Sequence, residues 1–105
     1  MIRFMTTTTR TPTVGRIVHY TLSERDVNRV CYERMLKVNA DFPVEGFVPS
    51  AGDVVPLLIT NVSNDATFVN GHVFLDCNDI LWVWAVRTSA TAVQEQGCWH
   101  WPEIV

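Results

Sequence analysis

Apolar residues at Val27, Val30, Cys31, Met35 and Val38 are spaced by threes and fours, which draws one face of a helix. Ser23 stands before the run as an N-cap, because its hydroxyl can accept a free backbone N–H. Asp26 follows three residues later, and Glu24 and Asp26 place negative charge in the first turn, where the helix dipole favours it. The spacing predicts a helix over about 24–39, with Arg25, Arg29, Glu33 and Lys37 largely on the opposite face. Asn39-Ala40-Asp41 ends it and Pro43 prevents its return.

The rest of the pattern reads as strands. Residues 14–20 are β-branched and aromatic, with Ile17 and His19 on one side and Arg16, Val18 and Tyr20 on the other. Val54–Val62 is a second strand, where Pro56 suggests an edge or a bulge. Thr67–Asp76 is a third, with Asn70-Gly71 inside it as a bulge or short break. Ile80–Arg87 is the fourth, with Leu81, Val83 and Ala85 facing the core and Trp82 and Trp84 facing away. Cys98–Trp101 adds a short last strand. Residues 40–53 hold Pro43, Gly46, Pro49 and Gly52 and read as a loop pinned by Phe42 and Phe47, and residues 88–97 form a second loop. The order implies an α+β fold, mostly β. A strongly bent antiparallel sheet or small barrel carries one helix against one face or at an oligomer contact. Residues 1–12 read as a flexible leader and 13–105 as a single domain.

Composition narrows the partners. Of the 105 residues 48% are hydrophobic and only 18% charged, below the roughly 25% usual in soluble domains. So few charges suggest that part of the surface is covered, and a homo-oligomer is expected. The net charge is −3 and no Lys/Arg cluster occurs, which argues against duplex nucleic acid, whose binding needs several phosphates neutralised. Cys31, Cys77 and Cys98 are odd in number and form no C-x-x-C pair, so neither a disulfide framework nor a structural zinc site is implied. No apolar run approaches the ~20 residues that span a bilayer. No cofactor and no metal is expected.

The candidate chemistry is aromatic. Trp82/Trp84 and Trp99/Trp101 are two i, i+2 pairs, each on one side of its strand, with His100 opposite the second. They suit either a covered interface or a stacking platform for a planar group. Arg16 and Arg87 are strand arginines, either exposed edge charges or bidentate partners of phosphate. His19, His72 and His100 lie on separate segments without metal-ligand spacing, and Cys98 with His100 is the nearest approach to a nucleophilic dyad. Asp76 and Asp79 flank a turn, where aspartate ordinarily bonds local backbone.

Three segments taken together are familiar: Pro12–Tyr20 (PTVGRIVHY), Asn70–Asp76 followed by Leu81-Trp82-Val83, and Gly97–Glu103 (GCWHWPE). They resemble a large group of small proteins encoded by tailed bacteriophages and their prophages, which share a PTVGRIVHY-like opening, a variable middle and a TWHWPE-like end. The resemblance covers residues 12–20 and 50–105. The chain departs from the group in its leader before Pro12, in Cys98 and in Trp84. By analogy with small oligomeric phage proteins, it implies an anti-defence sponge acting in the host bacterial cytoplasm. Such a protein sequesters a nucleotide-derived immune signal, cyclic ADP-ribose-like or a cyclic oligonucleotide, without cleaving it. On that expectation Trp82, Trp84, Trp99 and Trp101 supply stacking, Arg16 or Arg87 holds phosphate, and His19, Tyr20, Asn70 and His100 complete the site. The alternative is a virion or assembly component or a host-protein-binding module, with a small phosphodiesterase-like hydrolase as the enzymatic rival.

Overall fold

The computed structural model describes residues 10–89 and 95–102. Most of the expected leader, the middle of the 88–97 loop and the last three residues lie outside them. Among the described residues the chain forms β1 (Ile17–Thr21), α1 (Glu24–Asn39), β2 (Val54–Val62), β3 (Phe68–Phe74), β4 (Ile80–Arg87) and β5 (Trp99–His100). The strands make one antiparallel sheet in the order β4-β3-β2-β1-β5, curled into a half-barrel. The curl brings its two edges together at one end, where Thr88 bridges Trp99 and the Ser89 N–H donates to the Trp99 carbonyl at 2.7 Å. No described helix is long and apolar enough to cross a membrane.

The core fills the concave side of the sheet. Val18 and Tyr20 come from β1, Leu57 and Ile59 from β2, Val69 and Val73 from β3, Leu81, Val83 and Val86 from β4, and Trp99 from β5. Alternation along each strand sends these residues inward and their neighbours outward. Gly71 is buried because β2 passes close by: a Cβ there would collide with the Leu58 carbonyl oxygen and Leu57 Cδ1. The Pro56 expectation of an edge strand fails, since β2 is the middle strand of the five. Pro56 is tolerated because its recorded pairing is with His19 on β1, and the ladder to β3 begins only at Leu57.

Bulges flank Asn70 and Gly71 on both neighbouring strands. The β2–β3 register slips at Thr60 and the β3–β4 register slips at Trp84-Ala85. Ala85 takes a left-handed φ of 52°, and its N–H donates to Asn70 Oδ1 at 2.8 Å. The extra residue turns Ala85 out of the core, contrary to the expected alternation, and puts Val86 in its place.

Helix α1 has the expected limits, and the Ser23–Asp26 capping box is formed. Its docking is not as expected. Val30 is buried and Val27 half-buried, but Cys31, Met35 and Val38 face solvent. Beyond Val27 and Val30, the helix meets the sheet through polar residues. The Tyr20 hydroxyl donates to Asp26 Oδ2 at 2.6 Å, Arg34 Nε to Asp79 Oδ2 at 2.7 Å and Lys37 Nζ to Asp79 Oδ1 at 3.1 Å. Asp79 therefore exceeds the local turn role read from sequence. Its buried carboxylate ties α1 to the start of β4, and Lys37 is drawn from the expected solvent face. Phe42 and Phe47 are also exposed, so they do not pin the loop. Backbone contacts pin it: Arg34 Nη2 donates to the Phe47 carbonyl, and Asn78 bonds Glu45 and Pro43. Pro12, at the end of the expected leader, is buried.

Candidate functional site

A cleft of about 350 Å³ opens between the first turns of α1 and the bulge of β4. Tyr20, Ser23, Arg25, Asp26, Arg29, Trp84, Ala85 and Gly97 are among its walls. The Arg25 guanidinium lies 5.9 Å and that of Arg29 5.2 Å from the centre of the Trp84 ring, within cation–π range. Trp84 in turn stacks on Trp82, with 4.9 Å between ring centres and 17° between planes. The β4 bulge falls at this point, with Trp84 and Ala85 together opposite Asn70 on β3.

The charges in the cleft have unequal freedom. Asp26 is buried and already accepts from the Tyr20 hydroxyl and from the Ser23 N–H at 2.9 Å. Burial, reinforced by that bond to Asp26, pushes the Tyr20 pKa well up, so the phenol stays protonated and serves the fold. Arg25 is exposed and Arg29 half-buried. Two arginines against one aspartate leave the cleft one net positive charge beside an indole. That arrangement suits a planar ligand bearing an anionic group.

The residues expected from sequence divide into separate groups. Trp82 and Trp84 are together on β4 and partly exposed. Trp99 is not a stacking surface: it is 1% exposed and packs edge-on against Trp101 at 5.2 Å, closing the barrel. Trp101 is half-buried, with Arg10 at 4.7 Å and Arg16 at 5.4 Å from its ring. It borders a second hollow of about 490 Å³ reached by Arg10, Asp65 and Thr88. The two tryptophan pairs thus belong to different surfaces. His19 and His100 are cross-strand partners on β1 and β5, with rings 5.5 Å apart, and His72 pairs with Trp82 and Leu58 on the convex side. Arg87 is exposed opposite Phe68, away from Trp84, and Tyr20 and Asn70 are occupied in holding the helix and the bulge. Among the described residues no three His, Cys, Asp or Glu side chains converge as metal ligands would. Burial and the nearby Glu95 push the Cys98 thiol up, away from the thiolate a nucleophile needs.

The sequence pattern does not single out Arg25 and Arg29 as site residues, because it assigns both to the solvent face of the helix. A signal was present: two like charges at i, i+4 oppose each other on an isolated helix, so their pairing calls for a partner between them. Comparison with known protein families, characterised proteins and solved structures finds no match to this chain.

Proposed function

We propose that the protein is a bacteriophage anti-defence protein that binds a nucleotide-derived immune signal, cyclic ADP-ribose-like or a cyclic oligonucleotide, and sequesters it intact in the host cytoplasm. The observation that carries this reading is the placement of Arg25 and Arg29 over Trp84 at the mouth of the cleft. A base stacks on Trp84, while a phosphate takes up the two guanidinium groups that otherwise rest on the ring. Sequestration rather than turnover fits a cleft whose carboxylate, Asp26, is already held by two donors. The phage assignment rests on the resemblance over residues 12–20 and 50–105.

Calorimetric titration with a panel of cyclic nucleotides and ADP-ribose derivatives tests the reading. One member gives saturable heat, and Trp84→Ala weakens it by about 10- to 100-fold, the equivalent of roughly 1–3 kcal/mol per stacked base. Absence of heat across the panel, with no protection of phage against a signalling defence, removes the proposal.

A second reading has its own observation. The convex face of the sheet carries Ile17, Phe74, Ile80 and Trp82, all substantially exposed, on three strands. Such a face suits a virion or assembly component, or a module that binds a host protein. Abundance of the protein in purified particles, measured by mass spectrometry, favours this reading over the first.

A further inference from the structure

Helix α1 is docked with its charged side inward. At 100° per residue, Arg29, Glu33, Arg34 and Lys37 fall on one half of the cylinder. That is the half that meets the sheet, through Val30 in the core, Arg34 and Lys37 on Asp79 and Arg29 on Trp84. The other half, from Val27 round to Leu36, holds Asn28, Cys31, Tyr32, Met35, Leu36, Val38 and Asn39, with Val27 packed on the core at its border and with charge only in the first turn, at Glu24 and Arg25. Tyr32, Met35, Leu36 and Val38 are each at least half exposed there. This reverses the usual arrangement, in which the charged arc faces water.

We infer that this outward arc is the contact between two copies of the chain, packed helix against helix and antiparallel across a two-fold axis. Three features support a second copy as the occupant. Cys31, Met35 and Val38 are spaced by four and three within the helix, the alternation that lets two helices mesh side chains along a seam. Beyond the helix end the left-handed Asp41 turns the chain back, and the Phe42 N–H bonds to the Lys37 carbonyl at 2.8 Å, which keeps the exposed Phe42 ring beside the last turn. The row is also self-complementary: antiparallel pairing sets Met35 against Val38 of the second copy and Val38 against its Met35, so both layers are apolar on both sides. Antiparallel packing places the opposite ends of the two helix dipoles side by side. The third feature is area. Phe47, whose carbonyl accepts from Arg34, and its neighbour Val48 are 74% and 65% exposed and extend the patch. Seven large side chains offering roughly 100 Å² apiece approach the ~800 Å² per partner of a stable interface.

This inference stands apart from the ligand proposal, because its contact residues run from Cys31 onward along α1, whereas the cleft residues Arg25, Asp26 and Arg29 lie in the first two turns. Sedimentation equilibrium of the full chain tests it. The wild type sediments at twice the 11.9 kDa chain mass. Met35→Leu keeps the dimer, whereas Met35→Glu sets like charges close together across the axis and yields monomer. Met35 is 54% exposed, so the Glu variant is expected to keep its fold, checked by an unchanged circular dichroism spectrum. In parallel, the rate of Cys31 alkylation, mapped by mass spectrometry, falls as protein concentration rises through the dimerisation range. A wild-type monomer at high micromolar concentration overturns the inference. So does a dimer that survives Met35→Glu but is lost in Trp82→Glu, which would move the contact to the convex face of the sheet.

Discussion

Replacing Asp79 by Asn removes the charge that binds α1 to the start of β4. The Asp79 side chain is 2% exposed, Arg34 11% and Lys37 30%. Breaking a buried pair costs about 3–5 kcal/mol, because the remaining charge is stranded. Lys37 lies near enough to water to recover its hydration, which argues for the lower end of that range, about 3 kcal/mol. With a urea m-value of roughly 1–2 kcal/mol per molar, the denaturation midpoint falls by about 2 M. The effect depends on pH. Burial pushes the Asp79 pKa up, but hydrogen bonds from Cys77, Arg34 and Lys37 outweigh it and leave the pKa below the ordinary aspartate value. The folded state therefore binds fewer protons than the unfolded state in that window. The contribution is fully present above about pH 4 and is lost as pH falls through the lowered folded pKa. Urea titrations of wild type and Asp79→Asn from pH 7 to pH 2.5 measure this. Asp79→Asn combined with Arg34→Met is expected to lose less than the two single changes added together. A variant within about 0.5 kcal/mol of wild type at neutral pH, or a gap that does not shrink in acid, would refute the assignment of Asp79 as the tie.

The two tryptophan pairs are expected to part company on truncation. Trp99→Ala costs about 3–5 kcal/mol by emptying the barrel end, while Trp82→Ala, on the convex face, leaves the melting temperature nearly unchanged in a calorimetric scan. Asn70→Ala removes the acceptor for the Ala85 N–H and costs about 1 kcal/mol in urea titration. Ala85→Gly relieves the left-handed backbone and is neutral or stabilising by up to ~1 kcal/mol, measured the same way.

Periodicity located most elements, because β2, α1 and β4 each present an uninterrupted pattern with clear end signals. It could not say how α1 sits. An apolar stripe on a helix announces a buried face, yet here the stripe at Cys31, Met35 and Val38 faces out. The sheet instead offers Asp79 and Trp84 to the charged side. Those partners lie 45 residues or more along the chain from theirs, where no local spacing can register them. Ala85 escaped for a different reason. A left-handed alanine has no compositional mark, unlike the Asn70-Gly71 pair opposite it, which did signal the irregularity. Of the candidate site, Trp84 was legible as half of an aromatic pair. Pairing it with Trp99 or Trp101 failed because the short β5 closes the barrel and carries those rings to another surface.

The most direct test of the central claim is to load the protein with the tightest-binding member of the nucleotide panel, heat it, and chromatograph what is released. A parallel titration uses the Arg25→Ala/Arg29→Ala variant. The account requires the ligand to return chemically unchanged and in stoichiometric amount from the wild type, with at least a tenfold loss of affinity in the double variant. Release of a cleaved product would make the protein an enzyme, and undiminished binding by the double variant would place the site somewhere other than the cleft at Trp84.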